Sequence, residues 1–478
     1  MKAYKLFLLA ILVLFTFTSC KKQLDTKPQT SLAQLTKFAD IRVALLGCYQ
    51  GFRSQSYFAC PAASGASCGW SAMPDLMGDD FVEALESLGN WRGLSEMTYA
   101  ADDGQVQALF SQPYDIISRA NNVLNYLPQF QTGTNANEAL QIKAQSLAIR
   151  AMVHFDLMRY FAQDFGRSST NLGVPYITSF NALEPFANLP VRQTVKSDYD
   201  SIYADLNNAL LCYRQGGDLS NNTTRNFIDS LVVHAITARV DYYASQWSDA
   251  ANEATITLSL SPLGNSNDYI NTFASSSEAA PPSEVYWAIP SDNTLQPGLA
   301  TNGQSPNYRV SSATSSLITS LGGAYVDPGI CQFNQTGVGS YPRTLCWKYP
   351  GINSFKVFRA GEMLLIKAEA EAMQNKQIDA LTDLNNLRTN RGVATGSETG
   401  SNLLAAIVTL RRVELLGEGH RWFDLKRTTR TISRSDCGST GGSSSDKCSI
   451  PASNRAWVMP IPTNDITANP KLMQNVGY

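Results

Sequence analysis

With 44% hydrophobic residues, a chain of 478 residues has enough apolar mass for a folded core, while its 16% of charged residues falls well below the roughly 25% of ordinary soluble domains. A net charge of −2 gives no electrostatic attraction for nucleic acid or for an anionic membrane surface, and both partner classes are set aside. Length alone predicts about three domains at roughly 150 residues each, an expectation that the element pattern overrules.

The first element is a targeting segment. Lys2 and Lys5 precede an apolar run from Leu6 to Phe17, closed by Thr18-Ser19-Cys20. A basic start, a short apolar stretch and small residues before a cysteine form the pattern of a bacterial lipoprotein signal. The run is too short to span a bilayer, so 1–19 reads as an export segment and Cys20 as the lipidated first residue of an anchored mature chain. An ordinary cleaved secretory peptide with an incidental Cys20 is the competing reading, and Phe17 argues for it. Lys21-Lys22-Gln23-Leu24-Asp25 contains no acidic cluster, which leaves the side of the membrane less well specified than the anchoring.

After the irregular stretch that holds Tyr57, Trp70 and Trp91, apolar residues at Ile116, Ile117, Ala120, Val123, Leu124 and Leu127 predict a helix over 115–127 that Pro128 stops. Ala144, Leu147, Ala148, Ala151, Phe155, Leu157, Met158 and Phe161 continue the same spacing through 138–165, and the two segments read as an antiparallel pair. Further helices are predicted over 198–213, 229–246, 247–260, 358–375 and 377–391. Ala235, Ala238 and Ala244 permit close helix approach, and Trp247-x-x-Ala250 is similar to the turn of tetratricopeptide-like units. No strict repeat of about 34 residues holds, so the units are degenerate.

The predicted fold is therefore mainly α, a tetratricopeptide-like helix-pair scaffold with a few short strands. Helix pairs flank the irregular region 262–357, so 20–478 reads as one domain. Its scaffold covers roughly 31–261 and 358–430, the loop-rich insertion 262–357 and the C-terminal tail 431–478.

That insertion is rich in Ser, Asn, Gly and Pro and carries Tyr286, Trp287, Tyr308, Tyr325, Tyr341, Trp347 and Tyr349. Flat rings with Asn and Gln nearby can hold carbohydrate without large charges. Packing is the alternative, and Glu284-Val285-Tyr286-Trp287-Ala288-Ile289 reads as a short strand with Trp287 in the core. Trp70, Trp91, Tyr308 and Trp347 are the candidate ligand-binding residues, with Asp75, Asp79, Asp80 and Asn90 near the first two.

Of nine cysteines, Cys60 with Cys68, Cys331 with Cys346 and Cys437 with Cys448 lie close in sequence and are predicted as disulfide staples of loops. Cys48 and Cys212 sit in helical patterns as buried thiols or a further bridge. No C-x-x-C occurs, and His154, His234 and His420 lie far apart, so neither a metal site nor a cofactor is expected.

Residues 411–424 concentrate charge and aromatics in a chain otherwise poor in charge. Arg411, Glu414 and Glu418 share one face if the helix runs on to Gly419, and Arg421 and Asp424 could fold back onto the carboxylates as a buried clamp. Catalysis is the competing reading, and arginines this close work against it by leaving no proton to donate.

The run from Glu414 to Arg427, Glu-Leu-x-x-Glu-Gly-His-Arg-Trp-Phe-Asp-Leu-Lys-Arg, resembles the C-terminal signature of the SusD/RagB family of outer-membrane nutrient-binding lipoproteins. Residues 358–370 and 380–392 are similar to the family's preceding helix pair, and 469–478 to its last residues. Leu410 and Gly417 depart from the usual pattern. The resemblance implies four tetratricopeptide-like units forming a right-handed scaffold, and a non-catalytic lid over a TonB-dependent (SusC-like) outer-membrane transporter. It further implies capture of oligosaccharide, or of peptide as in other members. A surface glycoside hydrolase is the remaining alternative. Asp79-Asp80 and Asp102-Asp103 are paired carboxylates, but adjacent residues seldom converge across a cleft, and no G-x-S-x-G, H-E-x-x-H, phosphate loop or G-x-G-x-x-G occurs.

Overall fold

The structure is a computed structural model that describes residues 35–54, 56–58, 60–61, 69–84, 89, 91–179, 189–220, 222–274, 284–291, 295–296, 308–335, 343–349, 353–434 and 447–478. Its longer helices are α1 (Phe38–Phe52), α2 (Gly104–Tyr126), α3 (Ala136–Phe161), α4 (Val195–Gly216), α5 (Ser230–Tyr243), α6 (Trp247–Leu260), α7 (Ser266–Phe273), α8 (Ser312–Leu321), α9 (Ala360–Met373), α10 (Gln377–Asn390), α11 (Gly400–Glu414) and α12 (Arg421–Arg427). Side-chain caps fix several starts: Asp103 accepts from Gln105 and Val106 N–H at α2, Thr194 from Ser197 N–H at α4, and Asp229 from Val232 N–H at α5.

Successive helices pack as antiparallel neighbours, α2 with α3, α3 with α4, α5 with α6 and α9 with α10, while α6 against α9 joins the two halves of the chain. This is the mainly α, tetratricopeptide-like scaffold predicted. Every residue of α3 from Ala144 to Phe161 is buried, so this helix is wrapped on all sides. Its polar groups are matched accordingly. Arg150 pairs with Asp205 at 2.7 Å, and His154 bonds the Arg150 carbonyl through Nδ1 while Nε2 accepts from Ile177 N–H. Burial pushes His154 down to about 3, which keeps it neutral.

Two departures from the predicted helices have physical reasons. Helix α2 begins at Gly104 and runs through Pro113, because the Asp103 cap and the buried Val106, Leu109 and Phe110 hold its first turns despite the proline. Helix α11 ends at Glu414 and not at Gly419; Gly417 and Gly419 both have φ +78°, a left-handed turn that throws Glu418 off the helical face.

The labelled strands are β1 (Phe81–Glu83), β2 (Val285–Ile289), β3 (Tyr308–Val310), β4 (Cys331–Gln335), β5 (Arg343–Cys346) and β6 (Phe355–Arg359). Strands β2 and β6 form an antiparallel pair under the scaffold, with Trp287 fully buried among Phe52, Tyr49 and Phe358. The region read as loops also holds α7, α8 and a four-stranded sheet, order β1-β3-β5-β4, whose first strand comes from the segment after α1.

The cysteines correct one expectation. Cys331 and Cys346 stand opposite one another in the β4–β5 register, yet both are free thiols, as are Cys48 and Cys212. Burial pushes the Cys346 thiol up to about 11 and Cys331 higher still, suppressing the reactive thiolate, and Cys346 Sγ turns toward the Leu416 carbonyl at 4.0 Å. Cys448 is disulfide-bonded. Cys20, Cys68, Cys437 and the side chain of Cys60 lie outside the described residues.

Gly361, in the first turn of α9, offers a sharp test of the packing. A Cβ there would stand 2.3 Å from Glu414 Oε1 and 2.4 Å from Arg359 Nη1. Gly361→Ala should cost about 1–3 kcal/mol of stability, read as a lower denaturant midpoint at unchanged slope; an unshifted midpoint would contradict the close packing.

Candidate functional site

The clamp exists, but its pairings differ from those predicted. Glu414, at the end of α11, is gripped by Arg359 from β6 and by Arg391 just past α10, with Nε and Nη2 of Arg391 at 3.1 and 3.0 Å, and it accepts from Tyr325 Oη at 2.6 Å. Glu418 takes Arg359 Nε at 2.7 Å and Lys348 Nζ at 2.8 Å. Arg391 also reaches Glu284 at 3.1 Å. Arg359, Arg391 and Lys348 thus neutralise Glu284, Glu414 and Glu418 in a fully buried lattice. Burial alone would push the Glu414 and Glu418 carboxyls up, but the neighbouring cations outweigh it and hold both below the ordinary carboxylate range.

Arg411 pairs with neither glutamate. It donates to Asp424 at 2.9 and 3.0 Å, and Asp424 also takes Arg427 at 3.1 Å. Arg421 grips Asp79 at 2.6 and 3.1 Å, and Arg412 pairs with Asp80. Asp75 accepts the Gly419, His420 and Arg421 N–H groups at 2.8, 3.1 and 2.9 Å. The three acids placed near a binding surface by sequence are therefore consumed in tying α11 and α12 to the segment before β1. With both members of the Asp79–Asp80 pair bound to arginines, neither is a free acid, and Asp103 is spent as a cap.

Two of the four aromatic candidates come together. Trp91 and Tyr308 stack with centroids 5.9 Å apart and planes 26° from parallel, on the β1–β3 edge of the four-stranded sheet. Tyr308 Oη bonds Ser95 Oγ at 3.2 Å, and below them Glu83 is held by Arg92 at 2.8 and 3.0 Å. They are 5% and 9% exposed, so the stack shows little more than an edge. The buried Trp91 Nε1 has no hydrogen-bond partner among the described residues.

Trp347, just past β5, is half-buried, and its backbone N–H donates to the Ile330 carbonyl. Trp70 is corrected. At 2% exposure it sits between Tyr57 and Phe423, with Tyr160 at 4.3 Å and Arg159 at 5.4 Å, and no face remains for a ligand. Sequence reasoning missed Lys348, Arg359, Arg391 and Glu284 as members of the lattice. The signal for them was an isolated charge beside an apolar run, as at Glu284 before Val285 and Arg359 after Phe358.

Helix pairs closed by a buried charge lattice, with a small aromatic-bearing sheet on the irregular side, define a helical scaffold protein of the tetratricopeptide-like class. Residues 349–478 match the SusD family, and residues 63–213 match the family described as starch-binding and associating with the outer membrane. Both family matches and the curated relatives support a SusD/RagB family protein. SusD-like protein P2 of Formosa agariphila is 22% identical along the whole of both chains, and SusD-like protein P38 of the same organism is 32% identical over 26% of this chain and 24% of its own. Among solved structures, a SusD superfamily protein of Bacteroides thetaiotaomicron superposes with TM-score 0.78 at 21% identity, covering 91% of this chain and 99% of its own. A SusD-like carbohydrate-binding protein of Bacteroides vulgatus superposes with TM-score 0.74 at 20% identity, covering 91% and 97%.

The lattice predicts a definite pH signature. Glu414 and Glu418 lie below their ordinary value of 4.5 when folded, so their contribution is complete above that pH and is lost as pH falls through and below it. Glu414→Gln should cost about 3–5 kcal/mol near neutral pH by stranding Arg359 and Arg391. Its thermal midpoint should fall less than the wild type's between about pH 7 and about pH 3. Parallel curves would remove Glu414 from the acid response.

Proposed function

We propose that this protein captures oligosaccharide without cleaving it, while anchored to the outer membrane through a lipid on Cys20, and hands it to a TonB-dependent SusC-like transporter. The Trp91–Tyr308 stack carries the reading. Its exposed edge offers an aromatic contact of the kind that meets a sugar's apolar face and leaves hydroxyls to amide and hydroxyl groups nearby. The match to the family described as starch-binding supports it, as does the likeness to the carbohydrate-binding protein of Bacteroides vulgatus. The commitment of Asp79, Asp80 and Asp103 to ion pairs and a helix cap favours capture over hydrolysis.

Incubation of the purified chain with a panel of plant and algal glycans separates the readings, since retained, unaltered ligand is expected and shorter products would establish a hydrolase. The double variant Trp91→Ala, Tyr308→Ala should lower retention by at least about tenfold, in line with about 1 kcal/mol or more for each stacked ring; full retention would move the site elsewhere. Cys20→Ser should shift the protein from the detergent phase to the aqueous phase in a partition assay. Continued detergent partitioning would refute the anchor.

A further inference from the structure

A cleft of about 650 Å³ lies far in sequence from the Trp91–Tyr308 stack, between the segment after α3, the α5–α6 turn, α12 and the C-terminal tail. Its volume falls within the roughly 300–1,000 Å³ of small-molecule sites. Phe165, Tyr243 and Trp457 form apolar wall, and Lys426, Asn454 and Arg455 bring polar groups to it.

The charges in this wall are unevenly matched. Arg427 is committed to Glu369 and Asp424. Asp164 is engaged as well, accepting Gly166 N–H at 3.0 Å, Ser169 Oγ–H at 2.8 Å and an Asn171 Nδ2–H at 2.6 Å. Lys426 and Arg455, by contrast, have no carboxylate within ion-pair distance among the described residues. The Lys426 ammonium donates to the Arg159 carbonyl at 2.7 Å and lies 4.9 and 5.1 Å from the Phe165 and Trp422 rings. Desolvation draws it down to about 7 against the pull of Asp164. Arg455 is exposed, bonds the Gly477 carbonyl at 2.7 Å and lies over the Tyr478 ring.

One neutral polar group is also left over, whereas the buried Tyr243 hydroxyl faces Arg159. Asn454 spends its carbonyl oxygen on Ala456 N–H, leaving its amide N–H groups for another acceptor.

We propose that this cleft is a second binding site, for a small sugar acid whose carboxylate is taken by Lys426 and Arg455. The ring hydroxyls meet Asn454, and the apolar face of the ring lies against Phe165, Tyr243 and Trp457. A neutral sugar leaves both cations unanswered, and a bare carboxylate leaves the hydroxyl partners and aromatic wall unused.

Calorimetric titration of the purified chain with galacturonate, galactose and acetate at matched ionic strength tests the assignment. Saturable galacturonate binding is expected, with galactose and acetate each at least about tenfold weaker. Arg455→Gln and Lys426→Met should each weaken galacturonate by about tenfold or more. Circular dichroism reports whether each variant is folded, and Arg455→Gln, at an exposed position, carries the test if Lys426→Met does not fold. Equal acetate binding would reduce the site to a weak ion contact and overturn the proposal. So would equal galactose binding, absent galacturonate binding, or unchanged affinity in Arg455→Gln.

Discussion

Three cations and three anions, sealed from water, determine how the chain closes. Lys348, Arg359 and Arg391 meet Glu284, Glu414 and Glu418 at the point where β2, β6, α10, α11 and the loop after β5 converge. Burying each charge costs several kcal/mol, and only complete mutual pairing offsets it, so the six groups must assemble together. Their assembly fixes local backbone in turn. Gly361 is glycine because the Glu414 carboxylate occupies the space a methyl would need, and Gly419 is glycine because a Cβ would meet the Trp70 carbonyl at 2.4 Å with φ in the left-handed region. The lattice therefore specifies geometry more than it adds net stability.

A second shell of pairs carries this rigidity outward. Arg412 and Arg421 reach Asp80 and Asp79, immediately before β1, which pairs with β3 in the sheet that supports Trp91 and Tyr308. An aromatic stack on a short sheet among long loops is thus referenced to the helical scaffold through ion pairs. Such a support lets the surrounding loops vary in length and composition while the stack keeps its position.

How much of this was legible in the sequence depended on the range of the interactions. Helix α6 was readable to its last residue, because apolar spacing and the Trp247 turn are local signals. Helix α2 was read only from residue 115, whereas a good cap and tertiary burial start it at Gly104, ahead of Pro113. The charged run at 411–424 was recognisable as a buried clamp, but Glu414 found its partners at 359 and 391, and Arg421 found its own at 79. Side-chain pairing across such separations leaves no periodic trace. Trp70 misled for the opposite reason. A tryptophan in an irregular, Gly-rich stretch looks like a loop tip, yet the Trp70 ring packs against Phe423 and Tyr160. The Cys331–Cys346 pair shows that proximity, even facing register, does not by itself make a bond.

Asp75 holds three consecutive N–H groups, those of Gly419, His420 and Arg421, across a separation of up to 346 residues. During synthesis the acidic segment before β1 leaves the ribosome long before the arginines and amides that satisfy it. A chain that stops short of Gly419 lacks the donors that satisfy Asp75, so the turn at 419–421 acts as a latch between distant segments.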